Sequence, residues 1–274
     1  MSLRRILLCC AAILVLACSC ALADVPGLRG YERSLEPQYV YVSFGSYPYT
    51  KEGAVQPVVW RVLGHGVPGD TDVIDSHNAP NRKDPKHAIM DEQTDENEDV
   101  YCLITEYIID MVFYHDVRDT VDNPGLDYEN TLMYGTLNGE VLNRLFTPLE
   151  QTVLVEMPER GLLGLPSRKG ELFREDYGFV EEDFVEFPRR ATTGTPYAFS
   201  QGLKRIKGRS WYWTTDWRAP GRRWIVGDNG HISVSGVDRE GGIRPIIYVR
   251  TDMLECIGGT GTLEDPFQLA VIQP

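Results

Sequence analysis

Apolar and polar positions along this chain alternate over short stretches separated by turn residues, a pattern of strands rather than of long helices. Residues 39–45, rich in tyrosine, valine and phenylalanine, suit a pleated, half-buried surface and predict a first strand, ended by Ser46, Tyr47 and Pro48. Residues 57–63 and 100–105 predict a second and third strand, read as hairpin partners. Between them, 64–99 is rich in Asp, Asn, Pro and Lys and nearly free of large apolar groups, which predicts a long exposed insert. Residues 107–111 continue towards Tyr114 and His115, and Asp122-Asn123-Pro124-Gly125 marks a turn. Leu132, Leu137, Val141, Leu142 and Leu145 share one helical face, so the main helix is expected over 131–146 despite Gly135 and Gly139.

The second half is read in the same way. Residues 151–157 fit a short helix or a strand, 162–165 a strand, and the acidic, aromatic stretch 178–190 irregular structure. Residues 210–215 predict a strand. Two more, 224–226 and 231–234, flank Gly227-Asp228-Asn229-Gly230, a hairpin signal because Asn-Gly supplies positive φ. Residues 243–249 predict the closing strand, and no internal repeat is evident. The fold class expected is α+β: a twisted, mostly antiparallel sheet with one main helix and long loops.

The N-terminus adds a compartment. Arg4 and Arg5 precede an apolar run, 6–17, and then Ala21-Leu22-Ala23, the three-part order of a secretory signal. The apolar run is shorter than the about 20 residues that a membrane span needs. Two cleavage readings stay open. One is simple cleavage after Ala23, which is slightly preferred. The other treats Val15-Leu16-Ala17-Cys18 as a lipobox, ends the signal at Ala17 and lipidates Cys18. The division expected is a signal over 1–23, a linker over 24–38, one domain over 39–256 holding the 64–99 insert, and an extension over 257–274. The protein would then work outside the cytoplasm, secreted or lipid-anchored, and meet a membrane only through that lipid.

Charge and cysteine narrow the partners. The net charge of −13 argues against nucleic acid, whose phosphates need a basic surface. Four of the six cysteines lie in the signal, leaving Cys102 and Cys256. In an oxidising compartment they are candidates for one disulfide, with two unpaired thiols as the alternative, because spacing cannot show proximity.

Several stretches stand in a familiar order: Phe44-Gly45-Ser46-Tyr47-Pro48, Val59-Trp60-Arg61-Val62-Leu63, the helix from Thr131-Leu132 to Leu137-Asn138, Trp211-Tyr212-Trp213, and Gly242-Ile243-Arg244-Pro245. Together they resemble the domain of unknown function numbered six-two-seven-three, common in surface and secreted proteins of gut bacteria, over most of 40–250. The segment from Gly258-Gly259-Thr260-Gly261-Thr262 to Asp265-Pro266-Phe267 resembles a tail of bacterial extracellular proteins. The resemblance implies a C-type-lectin-like fold akin to the formylglycine-generating enzyme scaffold. It carries over no catalytic residues, and the 64–99 insert departs from the family pattern.

Several constellations invite chemistry. Trp211 and Trp213 are expected on one strand face and Tyr212 on the other, with core packing favoured for both tryptophans. Trp217, expected in a loop with Asp216, Arg218 and Arg222, offers an aromatic face with directed polar groups, as a sugar or peptide site needs. The candidate ligand-binding set is therefore Asp216, Trp217, Arg218, Arg222 and Trp213. The acidic run Asp91, Glu92, Asp95, Glu96, Glu98 and Asp99 carries oxygen ligands of the type calcium takes, but lacks the glycine and spacing of an EF-hand loop. A solvated loop is the plainer reading, and no cofactor is indicated. His65, His77, His87, His115 and His231 show no metal-ligand spacing, and neither a nucleophile elbow nor a phosphate loop is present. Arg244, among apolar neighbours, is expected in a structural ion pair. These features favour a non-enzymatic binding module for glycan or protein. The alternatives are an extracellular enzyme of unidentified chemistry and an adhesive domain acting through the insert.

Overall fold

The computed structural model describes residues 40–65, 100–116, 126–168, 170–172 and 190–273. The signal with Cys18, the linker, nearly all of the 64–99 insert, the 122–125 turn and 178–189 lie outside them. The described chain is α+β, with strands forming two mixed sheets. Strands β1 (Tyr41–Pro48), β2 (Val55–His65) and β3 (Val100–Thr105) form a meander, so the expected hairpin pairing of the second and third strands is observed. Strand β4 (Asp110–Phe113) begins the second sheet.

Next comes the helical run. It comprises α1 (Leu132–Thr136), a π turn (Leu137–Val141) and α2 (Leu142–Leu145). Thr131 caps α1 by accepting the Tyr134 N–H at 3.2 Å. Leu137, Val141, Leu142 and Leu145 are buried as their spacing suggested, whereas Leu132 is 52% exposed and Met133 takes its place in the core. The π turn carries Asn138, whose Nδ2 donates to the carbonyls of Arg160 (3.0 Å) and Leu163 (3.1 Å) while its Oδ1 accepts the Leu163 N–H. That clamp helps explain why 162–165 is no regular strand: it meets the sheets through one bridge, Gly164 to Ile246. Two short helices follow, α3 (Pro148–Gln151), closed by a Thr147–Glu150 capping box, and α4 (Pro196–Ser200).

The remaining strands are β5 (Tyr212–Ala219), β6 (Arg222–Val226), β7 (Ile232–Gly236), β8 (Glu240–Ile243), β9 (Ile246–Arg250), β10 (Leu254–Gly258) and β11 (Phe267–Val271). The first sheet runs β10-β11-β1-β2-β3-β9 and the second β4-β8-β5-β6-β7. Each contains one parallel pair, β1 with β11 and β5 with β8. The single sheet expected is thus corrected to two, while the mostly antiparallel pairing expected is observed, since all other described strand pairs are antiparallel. Strand β11, from the stretch read as an extension, lies inside the first sheet between β10 and β1. Only Thr251–Met253 connects β9 to β10, at opposite ends of that order. Six flat strands would spread over about 24 Å, and so short a link reaches about 14 Å, so the sheet must curl.

The predicted closing strand is two strands. Residues 243–249 break at Arg244-Pro245, with β8 in one sheet and β9 in the other. Proline has no N–H for a ladder, which suits the break. Arg244 is fully buried there. It donates from Nε to the Thr105 carbonyl of the first sheet (2.8 Å) and from a terminal nitrogen to the Tyr212 hydroxyl of the second (3.2 Å). Its described contacts make it a staple between sheets. The expected Gly227–Gly230 turn is present, with Gly230 at φ 83° and the Gly227 N–H bonded to the His231 carbonyl at 2.8 Å.

The main core packs both sheets against the helical run. Trp60 donates its indole N–H to the Phe44 carbonyl at 2.8 Å and stacks on Phe146. Gly45 sits at φ 65° where β1 changes register, and a Cβ there would come within 2.6 Å of the Phe146 ring, so glycine is required. Cys102 and Cys256 are not bonded to each other, so of the two readings left open by the sequence the candidate disulfide is not formed. Cys102 is buried against Leu63, Ile104, Met157, Ile246 and Tyr248, and Cys256 lies in β10 with its thiol on the Gly258 carbonyl. Strand β10 pairs with β11, and β3 with β2 and β9, so the two cysteines do not lie on paired strands, whereas a disulfide needs neighbouring backbones.

Candidate functional site

The β5–β6 hairpin gathers the candidate residues. Its register pairs Trp213 with Ile225, Trp217 with Arg223, and Ala219 with Arg222, with shifts on both sides of Trp217. Trp217 is therefore a strand residue, not the loop residue expected, and the bulges re-aim the side chains around it. Along β6 successive residues point to opposite faces, which separates Arg223 from Trp224 and divides the site in two.

One face turns outward. The Arg168 guanidinium lies over the Trp224 ring at 4.2 Å and that of Arg218 at 5.4 Å. Such contacts are worth about 0.5–1 kcal/mol at exposed sites. Asp216 accepts the Arg168 N–H at 2.7 Å, tying residue 168 to a strand 48 positions away in sequence. Burial raises the Asp216 carboxyl above its ordinary pKa, and the Arg168 N–H and guanidinium pull it back. Arg218 and Arg222 are exposed, while Asp216 and Trp224 are half-buried. The result is an aromatic ring flanked by cations with a fixed carboxylate beside them. Planar donors and an aromatic surface of this kind can hold a polar ligand.

The other face turns inward. Arg223 is 3% exposed, and its guanidinium packs against the rings of Trp217 (4.1 Å) and Tyr114 (5.2 Å). Burial lowers its pKa, opposed by Tyr114, Tyr128 and Asp216. Tyr114 also contacts Trp213 and Tyr128, with centroids at 4.9 and 6.4 Å. Burial raises both phenols, so each remains a donor at neutral pH.

The structure thus brings Asp216, Trp217, Arg218 and Arg222 onto one hairpin. It removes Trp213, which is fully buried and stacked edge-on against Trp211 as a core residue. The alternation expected of Trp211 and Tyr212 does not separate core from solvent, because Tyr212 is fully buried too. Arg168, Arg223 and Trp224 complete the site and stood outside the candidate set. A local signal was available for the latter two. Residues 204–224 carry seven Lys or Arg and one Asp in a chain of net −13. Nothing local pointed to Arg168.

Among the described residues no group of three His, Cys, Asp or Glu side chains is placed to hold a metal, and no helix is long and apolar enough to cross a membrane. No protein-family model, curated protein or solved structure matches the chain.

Proposed function

We propose that the chain is an exported, non-enzymatic binding module that recognises glycan outside the cell on the outer face of the β5–β6 hairpin. The observation that carries this is Trp224 lying beneath Arg168 and Arg218, with Asp216 fixed alongside. A sugar presents hydroxyls and ring faces, and this surface offers directed donors, an acceptor and an aromatic ring. Export rests on the 1–23 pattern, and the C-type-lectin-like scaffold rests on the resemblance to family six-two-seven-three. The mixed two-sheet fold with its short helices is compatible with that scaffold.

The test is binding of the full exported chain to an array of host and bacterial glycans, with and without calcium. Saturable binding reduced at least tenfold by Trp224→Ala or Arg218→Ala is expected. Trp217→Ala, which alters the inner face, should weaken it less. Absence of binding to every glycan would overturn the glycan reading and leave a protein partner. Glycan binding indifferent to Trp224 and Arg218 would place the site elsewhere.

A further inference from the structure

A buried guanidinium normally meets a carboxylate, because an uncompensated charge away from water is costly. Arg223 does not. At 3% exposure its one described hydrogen bond runs from a terminal nitrogen to the Thr215 carbonyl at a long 3.4 Å. The nearby Asp216 carboxylate is turned to the Arg168 N–H instead. The Nε and the second terminal nitrogen of Arg223 are shut from solvent and have no hydrogen-bond partner among the described residues. These two nitrogens are adjacent on one edge of the guanidinium, the fork that grips two oxygens at once.

Other donors share the cluster. The hydroxyls of Tyr114 and Tyr128 and the indole N–H of Trp213 are likewise buried without a partner among the described residues. The ring contacts described above link all of them through Tyr114. Buried polar atoms are bonded in most folded proteins, so four side chains left short in one cluster call for an explanation. All four can donate, and the one charge among them is positive. What would complete the set is an acceptor carrying negative charge.

We propose that Arg223, with Tyr114 and Tyr128, forms an occluded binding site for a small carboxylate. This site is distinct from the glycan surface on the opposite face of the hairpin. The Trp217 and Tyr114 rings pack against the guanidinium, so its free edge is what a ligand meets. A planar carboxylate lies in the plane of that edge and supplies two oxygens to the fork. A spherical anion offers the fork one contact in place of two, and a tetrahedral oxyanion, though it can also present two oxygens, brings two more that the buried edge would have to accommodate. Trp217, half-buried, is the tryptophan whose ring packs on the Arg223 guanidinium that a ligand would engage. Occupancy should therefore change its fluorescence.

The test is thermal denaturation and tryptophan fluorescence of the full exported chain, titrated at constant ionic strength with acetate, sulfate or chloride. Acetate is expected to raise the unfolding midpoint in proportion to the logarithm of its concentration, as a ligand specific to the folded state does. It should also change the fluorescence saturably, with at least tenfold higher affinity than sulfate or chloride. Arg223→Lys keeps the charge and removes the fork, and should weaken acetate at least tenfold. Arg218→Lys on the outer face should leave acetate binding unchanged. Equal effects of all three anions, an undiminished acetate response in Arg223→Lys, or no response in the parent chain would overturn the proposal. Each readout is independent of the glycan array, so either reading can fail while the other stands.

Discussion

The two halves of the molecule treat buried arginine in opposite ways. Beside the first sheet, Arg61 of β2 meets Glu106 at 2.6 Å. Arg160 meets Glu171 at 2.9 Å. Glu171 is itself fully engaged: one oxygen also accepts the Tyr248 hydroxyl, and the other accepts the N–H and hydroxyl of Ser167. Although burial disfavours charge on Arg160, Glu171 and its neighbours reverse the effect and raise its pKa. In the second sheet Arg223 is as deeply buried, yet its nearest carboxylate serves Arg168. Closed networks hold a fold in place, and an open one keeps binding capacity in reserve.

Removing the Glu171 carboxylate should test the closed half most severely. In Glu171→Ala the Arg160 guanidinium keeps only the Leu165 carbonyl at 3.4 Å among the contacts described here, and the Tyr248 and Ser167 hydroxyls lose an acceptor. A loss of about 3–5 kcal/mol is expected in urea denaturation, as for other broken buried pairs. A loss below about 1 kcal/mol would show that the network contributes little.

The sharper contrast comes from one substitution made in both halves. Arg61→Met strands the Glu106 carboxylate, which is 12% exposed, and should cost about 3 kcal/mol. Arg223→Met strands no carboxylate and lets an apolar chain fill the space between Trp217 and Tyr114. The lost cation–π contacts, worth up to about 2 kcal/mol, offset the relief from burying a charge. The expected change in the ligand-free protein is between zero and a gain of about 2 kcal/mol. Denaturant midpoints moving in the same direction by the same amount would erase the distinction between the halves.

The same division describes how far the fold was legible. Where strands pair locally the sequence pattern sufficed: the apolar runs of β2 and β3 pair across their insert, and Asn229-Gly230 turns β6 into β7. Pairings between distant segments were not legible. Residues 243–249 look like one strand because hydrophobicity is continuous, yet the chain changes sheets at Arg244-Pro245. The parallel pairing of β1 with β11 has no local signature either, because strand pairing is decided by tertiary contacts. At the site, the grouping of Asp216, Trp217, Arg218 and Arg222 was legible, but the facing was not. Register shifts around Trp217 break the two-residue period from which facing is read. Arg168 arrives from another part of the chain and is placed by Asp216, a contact that spacing could not reveal.

The smallest expected effect concerns the outer face, where Asp216 links the two arginine environments. Burial raises its folded carboxyl above the unfolded value of 3.8, and the Arg168 N–H and charge limit the rise. A folded state that holds a proton more tightly than the unfolded one is favoured at low pH. The contribution of Asp216 to stability is therefore fully present below pH 3.8 and lost as pH rises through its raised folded pKa. Asp216→Asn keeps an oxygen for the Arg168 N–H and has no proton to lose. The difference in stability between parent and variant should move in the variant's favour across that window and stay constant above it. Taking the difference removes the other carboxylates that titrate in the same range. A difference that is flat with pH would mean that the Arg168 N–H and charge fully offset the burial of Asp216, leaving its carboxyl with the same proton affinity folded and unfolded.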